Sequence, residues 1–190
     1  HDRNLPLQTA QILAAVAACP TDDVVVLPND KNIILAAEQA APLATKRVHV
    51  VKSRSVPQGL AAILATNPED DVAETVRAMD NALAGVRTVE ITRAVRSSSF
   101  HGITVREGQI IAVVDDELKL AAESAEEAVV SALRDLVTET TAIIGLYYGA
   151  ETTEADAQGL AATLRSTFAG HEVEVVNGGQ PHYQYIVSLE

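Results

Sequence analysis

Two short apolar runs, "DVVVL" at 23–27 and "VHVVK" at 48–52, flank a stretch of helical period at 32–45. Strands this short and this rich in β-branched residues, joined by a helix-length segment, restrict the fold sharply: they lie parallel, and the helix crosses over a sheet face. The same rhythm continues on both sides. Residues 5–18, 57–66 and 69–84 carry apolar positions at helical spacing, the last with Asn67 as N-cap and Pro68 at the first helical position. Residues 87–96 (RTVEITRAVR) alternate as a third strand. The pattern predicts a first α/β lobe over 1–100, a parallel sheet with helices on both faces.

Beyond residue 100 the pattern changes. Residues 103–106 and 109–114 read as a β-hairpin around Glu107-Gly108, and Ser124 with Glu127 three residues on marks the start of a helix over 125–137. A strand at 141–148, a helix at 153–169 between Thr153 and Gly170, and strands at 172–176 and 184–189 complete a second, mixed-sheet α/β lobe over 101–190. The boundary is expected in the polar stretch 97–102.

Charge separates the halves further. The net charge is -12, yet residues 1–106 hold 11 basic and 11 acidic side chains, so 107–190, with 3 against 15, supply all of it. Such a chain lacks the basic patch that phosphate backbones require, and no nucleic-acid partner is expected. No apolar run reaches the length of a membrane span, so no membrane insertion and a cytoplasmic location are expected. The opening His1-Asp2-Arg3 carries no signal peptide, and its lack of an initiator Met reads as a piece of a longer protein. Cys19 is the one cysteine, which excludes a disulfide framework; following Ile12, Leu13 and Val16, it reads as a core thiol.

The loops carry what chemistry there is. Pro28-Asn29-Asp30-Lys31-Asn32 lies just past the carboxyl end of the first strand and before a helix, where open α/β sheets place their ligand crevice and where a helix start favours anions. Ser53-Arg54-Ser55-Val56-Pro57-Gln58-Gly59 takes the corresponding place after the second strand, and Arg96-Ser97-Ser98-Ser99 follows the third. Asn29, Asp30, Lys31, Asn32, Arg54, Gln58, Gly59, Arg96, Ser97 and Ser98 are therefore the candidate ligand- or partner-binding residues. Asn29, Asp30 and Asn32 are equally the residues that a turn and an N-cap demand. The chain has no phosphate loop, dinucleotide fingerprint, zinc-protease motif or nucleophile elbow, so no catalytic residue and no metal ligand is assigned. Asp115-Asp116-Glu117 reads as a solvated hairpin end.

Three segments, "LPNDKNIILAAEQAA", "SVPQGLAAILATNPEDD" and "NGGQPHYQYIVSLE", together with "TRAVRSSSFHGITVREGQIIAVVDDEL", span nearly the whole chain. In this order they resemble the carboxy-terminal, DegV-like region of the ATP-binding component of the bacterial fatty-acid kinase, which is of the dihydroxyacetone-kinase-like family. The resemblance implies a two-lobed DegV-like fold. It also implies a parent kinase whose ATP and magnesium bind an amino-terminal domain outside these residues, with no cofactor here. The implied role is docking of a separate fatty-acid-binding, DegV-like protein whose acyl carboxylate is phosphorylated; a homodimeric parent fits the same picture. Gly178, Gly179, Gln180, Pro181 and Tyr185 match the family as a structural motif. A small-molecule or phosphate-binding enzyme domain using Asp30 or a loop serine, and an oligomerisation scaffold, are the alternative readings of the residues themselves.

Overall fold

A computed structural model of the protein describes residues 6–100 and 102–190. The chain divides after Val86 into two compact units.

The first unit holds α1 (Leu7–Ala18), β1 (Asp23–Val26), α2 (Lys31–Ala40), β2 (Arg47–Val50), α3 (Val56–Leu64) and α4 (Val72–Leu83). β1 and β2 pair in parallel from Asp23 opposite Arg47 to Val26 opposite Val50, with α2 in the crossover, as the two apolar runs require. α1 packs on α2 and α3 on α4. Helix limits follow from local chemistry. α1 stops at Cys19, whose extended backbone is the conformation that a following proline imposes. The thiol is half-buried at that helix end rather than a core group, and its Sγ faces the Ala15 carbonyl at 3.5 Å. α4 begins later than the Asn67-Pro68 signal predicts. Asp71 accepts from Glu74 N at 2.8 Å while the Glu74 carboxylate accepts from Asp71 N, a reciprocal cap stronger than Asn67, which instead holds a preceding turn through Glu69 N.

The second unit holds β3 (Arg87–Arg93), β4 (Ser98–Phe100), β5 (Ile103–Val105), β6 (Ile110–Val114), β7 (Glu117–Ala122), α5 (Ala125–Arg134), β8 (Ile143–Tyr148), α6 (Glu154–Thr167), β9 (Glu172–Asn177) and β10 (Tyr183–Leu189). Six strands form one sheet in the order β7-β6-β3-β10-β8-β9, antiparallel except for β8 and β9, which α6 connects in parallel. β10 lies inside the sheet, and its last five residues, Tyr185 to Leu189, are all buried. β3 is the main departure from the sequence reading. It pairs antiparallel with β10 and β6 instead of extending the first unit's parallel sheet, so the division falls at 86/87 and not in the 97–102 stretch.

Local hairpins also differ. β5 pairs with β4, whereas β6 pairs with β3 and with the unpredicted β7, so 103–106 and 109–114 are not two arms of one hairpin. The β6–β7 turn is made by Asp115 and Asp116, both at positive φ (46° and 75°). Two successive left-handed residues match the twist of a tight hairpin, and Asp tolerates that conformation better than most. Asp115 is anchored besides, accepting from Arg87 Nε at 2.9 Å and from Thr88 N at 3.0 Å. α5 and α6 bury one apolar core in this unit, with Ile91, Leu133, Ile144, Leu146 and Leu164 almost wholly removed from water.

Candidate functional site

The loops after β1 and β2 meet at the carboxyl ends of the two parallel strands, and their polar groups bind each other first. Asn29 N donates to Ser53 Oγ at 3.0 Å, and the Ser53 hydroxyl donates to Asn29 Oδ1 at 2.7 Å. Ser53 is fully buried, so this exchange satisfies a hydroxyl that would otherwise cost about 1–3 kcal/mol to bury. Asn29 reaches it from a left-handed backbone, φ 55°, which Asn adopts more readily than most residues. Gly59 completes the fit. A Cβ there would lie 2.1 Å from Asn29 Oδ1, so only glycine lets the asparagine side chain lie against α3.

Each remaining loop group is placed by the same local rules. Asp30 caps α2, accepting from Asn32 N at 2.7 Å. Ser55 caps α3 through Gln58 N at 3.4 Å, with Pro57 in the first turn. Gln58 Oε1 accepts from Arg54 N at 2.7 Å while its amide nitrogen reaches the Leu83 carbonyl of α4. The two loops therefore form a rigid polar knot with Lys31, Asn32 and Arg54 exposed on it.

Arg96, Ser97 and Ser98 belong to the second unit. The Ser97 hydroxyl accepts from Glu107 N at 3.0 Å, and Ser98 begins β4 opposite Val105, so these serines build a hairpin; Arg96 is exposed. The glycine-proline motif joins β9 to β10. Gly178 N and Gly179 N both donate to the Tyr148 carbonyl at the end of β8, and the Gln180 amide donates to the Tyr147 carbonyl at 3.0 Å. Gly178 has no room for a Cβ against the Gln180 side chain, and Gly179 lies at φ 61°. Pro181 is exposed in this connection, and Tyr185 is packed into the core.

Two arrangements escaped the sequence reading. At the opposite, amino-terminal end of the strands, Asp23 accepts from Arg47 Nε at 2.8 Å and faces His49 Nε2 at 3.3 Å. The Arg47 hydrogen bonds, followed by that of His49, hold the Asp23 carboxyl down to about 2. These three line a cavity of about 900 Å³ against α4. The parallel register that sets Asp23 against Arg47 is the signal for this cluster, and it is visible only once the strands are paired. The second arrangement is a cavity of about 440 Å³ at the starts of α5 and α6. Among the described residues no three His, Cys, Asp or Glu side chains are grouped to hold a metal ion, and no helix is long and apolar enough to cross a membrane.

This fold is of the DegV kind. A DegV family protein of Corynebacterium glutamicum matches 96% of the chain with a TM-score of 0.66 at 16% identity, over 80% of its own length. The fatty acid kinase (Fak) B3 protein of Streptococcus pneumoniae, loaded with linoleic acid, matches 96% with a TM-score of 0.65 at 12% identity, over 75% of its own length. The dihydroxyacetone kinase of C. freundii matches 95% with a TM-score of 0.61 at 11% identity, over 41% of its own length. In sequence, the model of the FakA-like C-terminal family of fatty acid kinase matches residues 4–190, and the chain belongs to that family. Protein YloV of Bacillus subtilis (strain 168) is 33% identical over 182 residues, 96% of this chain. The chain spans about a third of the length of that relative.

Proposed function

We propose that this chain is the noncatalytic docking domain of a fatty-acid kinase. It presents the knotted edge of loops 28–32 and 53–59, within the first unit, to a DegV-like fatty-acid-binding protein. The acyl carboxylate is then phosphorylated in a cytoplasmic, homodimeric parent whose ATP- and magnesium-binding domain lies outside these residues. Family membership and the kinase-related fatty-acid neighbours support the setting.

The observation that carries the reading is the state of the edge itself. Asn29, Asp30, Ser53, Ser55 and Gln58 spend their hydrogen bonds on one another and on nearby backbone, which disfavours a reactive site and gives a surface that loses little entropy when a partner binds. Lys31 and Arg54 are its exposed cations, suited to long-range steering of an acidic partner surface. Calorimetric titration of the chain with its cognate fatty-acid-binding protein, with and without bound lipid, tests the reading. Joint substitution Lys31→Ala and Arg54→Ala is expected to weaken binding about tenfold, ~1.4 kcal/mol, with the fold intact. Unchanged affinity in the double variant would remove the edge from the interface; turnover by the chain alone would replace docking with catalysis.

A further inference from the structure

The cavity at the starts of α5 and α6 has a composition that neither the family nor the docking edge explains. Glu126, Glu151 and Asp156 line it, and among the described residues none has a cationic partner. Glu126 Oε1 accepts from the Thr163 hydroxyl at 3.0 Å and Asp156 Oδ2 from the Thr153 hydroxyl at 2.6 Å. The other oxygen of each carboxylate lacks a donor from the described residues.

Tyr185 is the second, independent observation. Its side chain belongs to the apolar core and is only 5% exposed, yet it lines this cavity, and no described group bonds its hydroxyl. The ring is buried in the core while the hydroxyl stays open to the cavity, where it can bond an occupant. Burial, with Asp156 and Glu126 adding to it, pushes the phenol up from its ordinary value, so it stays neutral beside them and keeps lone pairs to offer. The neighbouring Gln184, also at the cavity, has its side-chain oxygen buried without a donor.

Helix starts ordinarily attract anions, but here Ser124 and Thr153 already cap both helices and the carboxylates stand in front of them. Acceptors therefore outnumber donors around a polar cavity in the unit that holds 16 acidic against 7 basic residues. A planar cation with several N–H groups satisfies such a set, as a guanidinium does with carboxylates.

We propose that this cavity binds an alkylguanidinium group, supplied either by a free small cation or by an arginine side chain of a partner protein, with Glu151, Asp156 and the Tyr185 hydroxyl as acceptors. The inference is independent of the docking edge, since its probe is a small molecule and its residues lie in the second unit alone.

Titration of the 190-residue chain with N-acetyl-arginine amide, followed by calorimetry and by NMR shifts near Tyr185, tests it. Saturable binding is expected, weakened about tenfold for the neutral N-acetyl-citrulline amide, which keeps the shape and loses the charge. Glu151→Gln, an exposed change without structural cost, is expected to weaken the arginine probe about three- to tenfold, and Tyr185→Phe to do so with an unchanged circular-dichroism spectrum. Tighter binding of an arginine-containing tripeptide than of the free amide would identify a partner's side chain as the source. The reverse order would identify a small cation. Equal affinity for the citrulline probe, absence of saturable binding, or indifference to both substitutions would overturn the assignment.

Discussion

The two units are held together by different means. In the second, α5 and α6 lie against a six-stranded sheet and enclose one continuous apolar core that runs from β6 to β9. Among the described residues of the first, Val51, Ala62 and Met79 form a small buried cluster with Val25, Leu27, Val76 and Leu83 packed against it, Val16, Val24, Ala36, Ala37 and Ala40 are buried besides, and the sheet has two strands. Fully burying a large aliphatic side chain stabilises by about 1.5–3 kcal/mol, so the second unit rests on hydrocarbon. Much of the first unit's specificity comes instead from oriented polar contacts: the Asn29–Ser53 exchange, the Gln58 bridge to Arg54 N and Leu83, and the Asp23–Arg47 pair across the parallel strands. Such contacts fix geometry more than they add stability.

The largest effect that can sharpen this contrast is in the core. Leu146→Ala, at a fully buried site between β10 and β9, is expected to cost about 3–4 kcal/mol in urea unfolding of the second unit. A cost under about 1 kcal/mol would show that its core is not the continuous body described.

Two helical glycines supply a test in which the sign differs. A Cβ at Gly59 would strike the Asn29 side chain, whereas one at Gly159 in α6 meets nothing within 4 Å. Gly59→Ala should destabilise by about 2 kcal/mol by forcing Asn29 off Ser53. Gly159→Ala should stabilise by about 0.5–1 kcal/mol, the ordinary helix preference for alanine. Equal effects at both positions, measured by thermal unfolding, would mean that the clasp contributes nothing.

The smallest expected effect is electrostatic and belongs to the first unit. Asp23 titrates at about 2 against an ordinary 3.8, so its contribution is present in full above 3.8 and is lost as the pH falls through about 2. Arg47→Met should return the Asp23 carboxyl toward 3.8 in a carbon-detected NMR titration, since the Arg47 hydrogen bonds are the leading cause of the depression. No movement would assign the depression to His49 instead.

Legibility from sequence follows the same division between local and distant causes. α2, α3, α5 and α6 could be read because their signals lie within a few residues: Asp30, Ser55, Ser124 and Thr153 each cap the helix that follows. β3 could be read as a strand but not placed. Its partner β10 lies at the far end of the chain, and alternation says which face is apolar without saying which strand lies beside it. β7 was missed because "ELKLAA" interleaves charge with apolar residues as an exposed edge does. Among the candidate residues, position at the strand ends was legible for Asn29 to Asn32 and for Arg54 to Gly59. The Asn29–Ser53–Gly59 fit was not, because it is a contact between loops 24 residues apart. Arg96 to Ser98 followed β3 into the second unit for the reason that moved the strand itself.

The order of the six-stranded sheet puts β7 and β9 at its edges, where among the described residues no further strand pairs with their outer backbone donors and acceptors, the kind of row on which a second chain can polymerise. β9 meets that hazard with Glu172 and Glu174 exposed on alternate positions, and β7 with Glu117 and Lys119. Two molecules approaching flank to flank along β9 would bring these glutamates together and desolvate them, so growth into fibres through that flank is opposed at each added copy.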